Sequence, residues 1–175
     1  RHSVEPLAAL TAPQRTAAQH QSLLHLIGKS PWSDIAVLSL VRDLVLPAVT
    51  NAEPVQAFIV DDTTFPKKGE HSVGVARQYC GQLGKQENCQ AAVSLSLATH
   101  AASLPIAYQL YLPKDWAVDA ARRRKSGVPD DVVFRTKPQI ALQQIAQALQ
   151  DGVLPAVVLA DAGYGNDTAW RAGLT

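Results

Sequence analysis

The chain is poor in the features that mark metal fingers, membrane spans and strongly basic nucleic-acid coats. Its two cysteines, Cys80 and Cys89, have no CxxC spacing and no close pair of histidines. That argues against a zinc site or a disulfide framework and for two reduced core thiols. No stretch of about eighteen apolar residues occurs, and the start lacks the charged-then-apolar order of a signal peptide. The expectation is a soluble, cytoplasmic protein with no membrane partner. Sixteen Lys and Arg against fifteen Asp and Glu leave a net charge of +1, so any nucleic-acid contact must come from local clusters. No internal repeat or low-complexity tract is visible.

What is present suits a globular domain. At 175 residues, 47% hydrophobic and 18% charged, the chain can bury a full core and carry a small extension. It opens on Arg1 and ends a few residues into an expected helix, Asn166 to Leu174, so both ends read as cuts.

Residues 1–53 read as a helical amino-terminal extension, either a packing appendage or a DNA-binding element. Pro13 to Ile27 carries Leu23, Leu24, Leu26 and Ile27 on a polar background, with Gly28 placed to end the helix. Ser33 to Val45 reads as a second helix, with Ser33 as its cap, Pro47 as its stop and an apolar face of Ile35, Leu38, Leu44 and Val45.

From Val55 the pattern turns to strands. Ala57 to Val60, Val73 to Tyr79, Ala91 to Ala98 and Ile106 to Leu112 are predicted strands, the last two joined by a turn over Thr99 to Pro105. A charged segment runs from Lys114 to Lys137. Lys137-Pro138 then opens a helix with Leu142, Ile145, Ala146 and Leu149 at helical spacing, closed by Gly152. A final strand ends at Asp161. Strands first, then helix and strand, predict a mixed α/β sheet in which a right-handed crossover sets the Asp161 strand parallel to the Asp61 strand.

Two acids at strand ends carry the chemistry: Phe58-Ile59-Val60-Asp61-Asp62-Thr63 and Val157-Val158-Leu159-Ala160-Asp161-Ala162-Gly163-Tyr164-Gly165. A carboxylate where an apolar run meets a loop is costly to desolvate without a partner or a cation. On adjacent strands, about 4.8 Å apart, two such groups can share divalent ions, and oxygen ligands favour magnesium or manganese over zinc. The same residue type also caps turns, so position alone leaves both readings open.

The wording around these acids resembles one family. Val60-Asp61-Asp62-Thr63-Thr64-Phe65-Pro66-Lys67-Lys68-Gly69, His71-Ser72-Val73-Gly74-Val75-Ala76-Arg77-Gln78-Tyr79-Cys80-Gly81 and Gly84-Lys85-Gln86-Glu87-Asn88-Cys89-Gln90 are similar to the catalytic domain of insertion-sequence DDE transposases. Leu110-Tyr111-Leu112-Pro113-Lys114-Asp115-Trp116, Gly127-Val128-Pro129 and Leu159-Ala160-Asp161-Ala162-Gly163-Tyr164-Gly165 follow in the family's order, and the resemblance runs from Arg1-His2-Ser3-Val4-Glu5-Pro6 to the end. It implies a ribonuclease H-like domain over residues 54–175. The implied enzyme cuts and rejoins double-stranded DNA at transposon ends and target, with three acids and two magnesium ions, manganese substituting. An Asp-x-Thr pattern selects Asp61 over Asp62 as first acid, and the Ala-Gly-Tyr-Gly turn selects Asp161 as second. The third, a Glu on a later helix, has no counterpart before Thr175, so the sheet is expected to be incomplete. The resemblance further implies in-line attack by water and then by a DNA 3′-hydroxyl, work at the prokaryotic nucleoid, and a homodimer when full length. A remnant that only binds DNA or a partner protein is the second reading; an unrelated carboxylate enzyme is a third.

Candidate DNA contacts are Lys67 and Lys68 just beyond the first acid, Arg77, Lys85 and the run Arg122-Arg123-Arg124-Lys125. Phosphate contacts of this kind give affinity without reading sequence. Seven basic residues against four acidic over Lys114 to Lys137 equally allow a solvated loop. Trp116 either packs over the sheet or stacks on a displaced base. Gly163-Tyr164-Gly165-Asn166 lacks the third glycine and Lys-Ser/Thr of a phosphate loop, and reads as a tight turn into a helix capped by Asn166. His71 and His100 stand alone and read as structural residues.

Overall fold

Residues 4–51 and 53–175 are described by a computed structural model, and the chain divides into units of residues 1–37 and 38–175. Arg1, His2 and Ser3, where the family resemblance begins, lie outside the described residues. In the first unit, α1 (Val4–Thr11) packs on α2 (Thr16–Gly28) after a short 3-10 turn, and Ala8 is fully buried. Helix α3 (Asp34–Thr50) starts as the sequence predicts, with the Ala36 amide donating to Ser33 Oγ at 3.2 Å. Pro47 does not stop it. A proline forfeits its own amide bond, a limited loss in the last turn, and the helix continues to Thr50, whose hydroxyl donates to the Leu46 carbonyl at 2.9 Å. Nor is the predicted apolar face buried: Leu44 stays 70% exposed, and from this helix Leu46 reaches the core.

The second unit is built on one five-stranded mixed sheet. Strands β1 (Ala57–Pro66), β2 (Ala76–Cys80), β3 (Lys85–Ala98) and β4 (Ser103–Leu110) are antiparallel neighbours. One edge of β3 pairs with β1, and its other pairings are with β2 through residues 85–89 and with β4 through residues 92–98. A bulge between Leu95 and Ser96 leaves Ile106 without a ladder partner, which accommodates Pro105 on this outer strand. After the short helices α4 (Lys114–Val118) and α5 (Ala120–Lys125), helix α6 (Lys137–Gln150) crosses back to β5 (Val157–Leu159). Strand β5 pairs with β1 in parallel. The one-turn helix α7 (Ala162–Gly165) and α8 (Thr168–Gly173) follow.

Alternation along β1 and β3 directs Phe58, Val60, Val93, Leu95 and Leu97 to the main core, where Ile140, Ala141, Ile145 and Ala148 of α6 meet them. Full burial of each large apolar side chain contributes about 1.5–3 kcal/mol. The buried face of α6 is therefore turned from the predicted one, and Ala146 and Leu149 are exposed. Gln144 takes a core position because its amide donates to the Val93 carbonyl at 3.0 Å. The start of α6 is fixed by a capping box between Thr136 and Gln139, worth about 1 kcal/mol. A second cluster joins Val75, Leu112 and Trp116. Both cysteines are buried and free, as predicted, and among the described residues no helix is long and apolar enough to cross a membrane.

Candidate functional site

Strands β1 and β5 pair at Ala57↔Val157, Phe58↔Val158 and Ile59↔Leu159. Beyond that pairing β1 runs on through Asp61, whereas β5 ends at Leu159; the strand end expected at Asp161 is replaced by the cap of α7, two residues further on. Alternation along β1 turns Asp61 to one face and Asp62, with the core residue Val60, to the other. Both site candidates are exposed, and Asp62 is half-buried.

Each acid is held differently. Asp61 Oδ1 accepts from the Asp62 amide at 2.7 Å, and the Asp61 carbonyl accepts from the buried Ser94 hydroxyl at 3.1 Å. Asp161 caps α7, its Oδ1 accepting from the Tyr164 amide at 3.2 Å. A Cβ on Gly163 would lie 3.0 Å from that same oxygen, so glycine keeps room beside the carboxylate. Asp62 Oδ2 accepts from Lys137 Nζ at 2.5 Å and its Oδ1 from the Tyr164 hydroxyl at 2.6 Å. Burial pushes the Tyr164 phenol far above its ordinary range; the hydrogen bond to Asp62 and the charges of Asp62, Asp161 and Asp61 push the same way. It therefore stays a protonated donor. Lys137 Nζ also lies 5.5 Å from the centre of the Tyr111 ring.

Lys137 and Tyr164 were not singled out by sequence reasoning. The available signal was that one of them begins the crossover helix and the other lies three residues beyond Asp161. The predicted cap of the last helix is also replaced: Asp167, not Asn166, accepts the Trp170 amide at 2.9 Å and starts α8.

The basic candidates lie elsewhere in the unit. Strand β1 runs to Pro66, so Lys67 is six residues past Asp61, about 20 Å along an extended chain and not immediately beyond the acid. The Asn88 side chain donates to the Lys67 and Gly69 carbonyls at 2.9 Å, which fixes this loop beside β3, where Arg77 is the strand partner of Asn88. Lys85 pairs with Glu87 at 3.2 Å, and the Asn88 amide, followed by Lys85, holds the Glu87 carboxyl below its ordinary range. The Arg122 guanidinium lies 3.7 Å from the centre of the Trp116 ring and donates to the Glu70 carbonyl at 2.9 Å. Arg123 donates to the carbonyls of Ala117, Pro129 and Asp130, whereas Arg124 is exposed. Trp116 is 1% exposed and its indole N–H donates to the Val75 carbonyl at 2.7 Å. The base-stacking expectation is thereby corrected: a ring buried in the second core cluster has no free face for a base.

Among the described residues, no group of three or more His, Cys, Asp or Glu is placed to hold a metal ion. Two exposed carboxylates, each using Oδ1 for a backbone amide and with the Gly163 gap beside one of them, fit part of an oxygen donor set for a hard divalent cation.

Over residues 1–175 the chain matches the family described as DDE superfamily endonuclease. It is similar to a probable transposase for insertion sequence element IS701 of Microchaete diplosiphon, 33% identical over 145 residues that cover 83% of this chain and 35% of that protein. The chain thus spans about a third of the length of the curated relative it matches. No solved structure matches it.

Proposed function

The chain belongs to the DDE superfamily endonucleases, and on that premise we propose that it supplies two acids of the metal-dependent site of a DNA transposase with a ribonuclease H-like catalytic domain. The reading rests on one observation, the parallel β1–β5 pairing, which sets β5 and the turn that Asp161 opens beside the strand that carries Asp61. Asp61 and Asp161 are the proposed ligands of magnesium, or of manganese in its place. Two bound divalent ions would supply activation of the attacking oxygen and stabilisation of the leaving one.

The chain's own residues orient and balance this site. Ser94 and the Asp62 amide fix Asp61, the α7 turn fixes Asp161, and Lys137 offsets the charge of Asp62. The proposed substrate is double-stranded DNA at transposon ends and target, acted on by a full-length homodimer. Lys67, Lys68 and Arg77 are the proposed phosphate contacts, with Lys85 and Arg122, Arg123 and Arg124 flanking them.

One observation favours a second assignment of the first acid. Asp62 already holds a cation, Lys137 Nζ at 2.5 Å, and reaches the turn that carries Asp161 through Tyr164. Calorimetric titration of manganese into the chain separates the two. With Asp61 as ligand, Asp61→Asn and Asp161→Asn weaken binding far more than Asp62→Asn does. A large loss in Asp62→Asn with little in Asp61→Asn moves the first acid to Asp62. Equal, weak effects at all three positions remove the shared metal site.

A further inference from the structure

Tyr164 is bonded to two of the three neighbouring acids at once. Its backbone N–H donates to Asp161 Oδ1 at 3.2 Å and its phenol O–H to Asp62 Oδ1 at 2.6 Å. The ring between these donors is 3% exposed and tilted at 59° against the Trp170 ring, with centroids 5.4 Å apart, so the hydroxyl cannot swing away without unpacking the core. A buried phenol needs a partner, and a half-buried carboxylate needs donors; each satisfies the other here. Lys137, at the first position of α6, takes the remaining Asp62 oxygen.

We infer that Asp62, Lys137 and Tyr164 form a clamp that sets the Asp161 carboxylate against the acids of β1 before any cation arrives, with Tyr164 as its positioning residue. The inference rests on the metal-site reading above and holds for either assignment of the first acid. If Asp61 is the ligand, the clamp fixes the strand residue beside it. If Asp62 is the ligand, the Tyr164 hydroxyl orients that ligand directly. Groups in this relation to metal ligands typically govern affinity by about 10–100-fold.

The test titrates manganese into the 175-residue chain and its variants. Tyr164→Phe keeps the ring and the fold but loses the hydroxyl, and its manganese affinity should fall about tenfold. Trp170→Phe thins the packing around the same turn while leaving both donors in place. It should lower thermal stability without that loss of affinity. An unchanged affinity in Tyr164→Phe, or an equal loss in Trp170→Phe, overturns the clamp. Asp161→Asn is measured beside them: if manganese affinity does not depend on it, the metal reading itself has failed. The clamp is then judged by amide exchange at Tyr164 and Gly165, which should quicken in Tyr164→Phe; unchanged exchange would overturn it.

Discussion

Gly74 is the position where a single methyl group should cost most. Its φ of +75° lies in the left-handed region, and a Cβ there would stand 2.7 Å from the Tyr111 carbonyl oxygen, a backbone atom with little freedom to retreat. The conformational part of Gly74→Ala costs about 1–2 kcal/mol. Relieving the clash adds about 1–3 kcal/mol, the range for forcing extra atoms into packed structure. At about 2–4 °C per kcal/mol for a chain of this size, the melting temperature should fall by about 4–20 °C. Gly84→Ala is the control, because Gly84 has φ +64° but open space where its Cβ would go. It should show the conformational part alone. Thermal denaturation followed by circular dichroism measures both, and Gly74→Ala melting no lower than Gly84→Ala would refute the close approach to Tyr111. Since Lys137 lies over the Tyr111 ring, a displaced Tyr111 would also be felt at Asp62.

Two further outcomes are expected. Replacing Lys67 and Lys68 with alanine should reduce the slope of log DNA affinity against log salt by about 1–2, read from fluorescence anisotropy across salt concentrations; an unchanged slope would return both lysines to a solvated loop. Tyr164 keeps its proton in the fold at pH values where an unfolded tyrosine, with a pKa of about 10, has lost it. Its contribution is therefore fully present below about pH 10 and is lost as pH rises beyond, so the wild-type chain should lose stability more steeply with alkali than Tyr164→Phe. Equal slopes for the two proteins would contradict the buried, carboxylate-facing phenol.

The sheet was legible because its apolar runs are short, β-branched and separated by turn residues, and the crossover through α6 follows from a strand–helix–strand order. Strand lengths were not. Polar residues at the start of β3, such as Lys85 and Gln86, are held in the ladder by β2 and do not betray it by hydrophobicity. The face of α6 was misjudged because the Gln144 side-chain N–H reaches a backbone carbonyl, which lets a polar residue join the buried face while Leu149 stays outside it. The backbone bonds of Arg122 and Arg123 were not legible either, because a guanidinium that donates to a loop carbonyl looks the same in sequence as one that is free. The two acids were chosen as strand-end residues and by resemblance, yet Asp61 lies within β1 and Asp161 caps a turn beyond β5, and Lys137 and Tyr164 became visible only when three elements met in space.

The parallel pairing of β1 with β5 also fixes when the site can exist. Asp61 and Asp161 are 100 residues apart in the chain, and the pairing that brings β5 beside β1 has one of the longest loop closures in the fold. At a synthesis rate of about 5–20 residues per second, Asp61 enters the growing polypeptide some 5–20 s before Asp161. Throughout that interval the antiparallel strands can fold on the ribosome while the acidic pair is still missing its second member. The topology thus places the β1–β5 pairing after the antiparallel pairings of β1 to β4 in the order of synthesis.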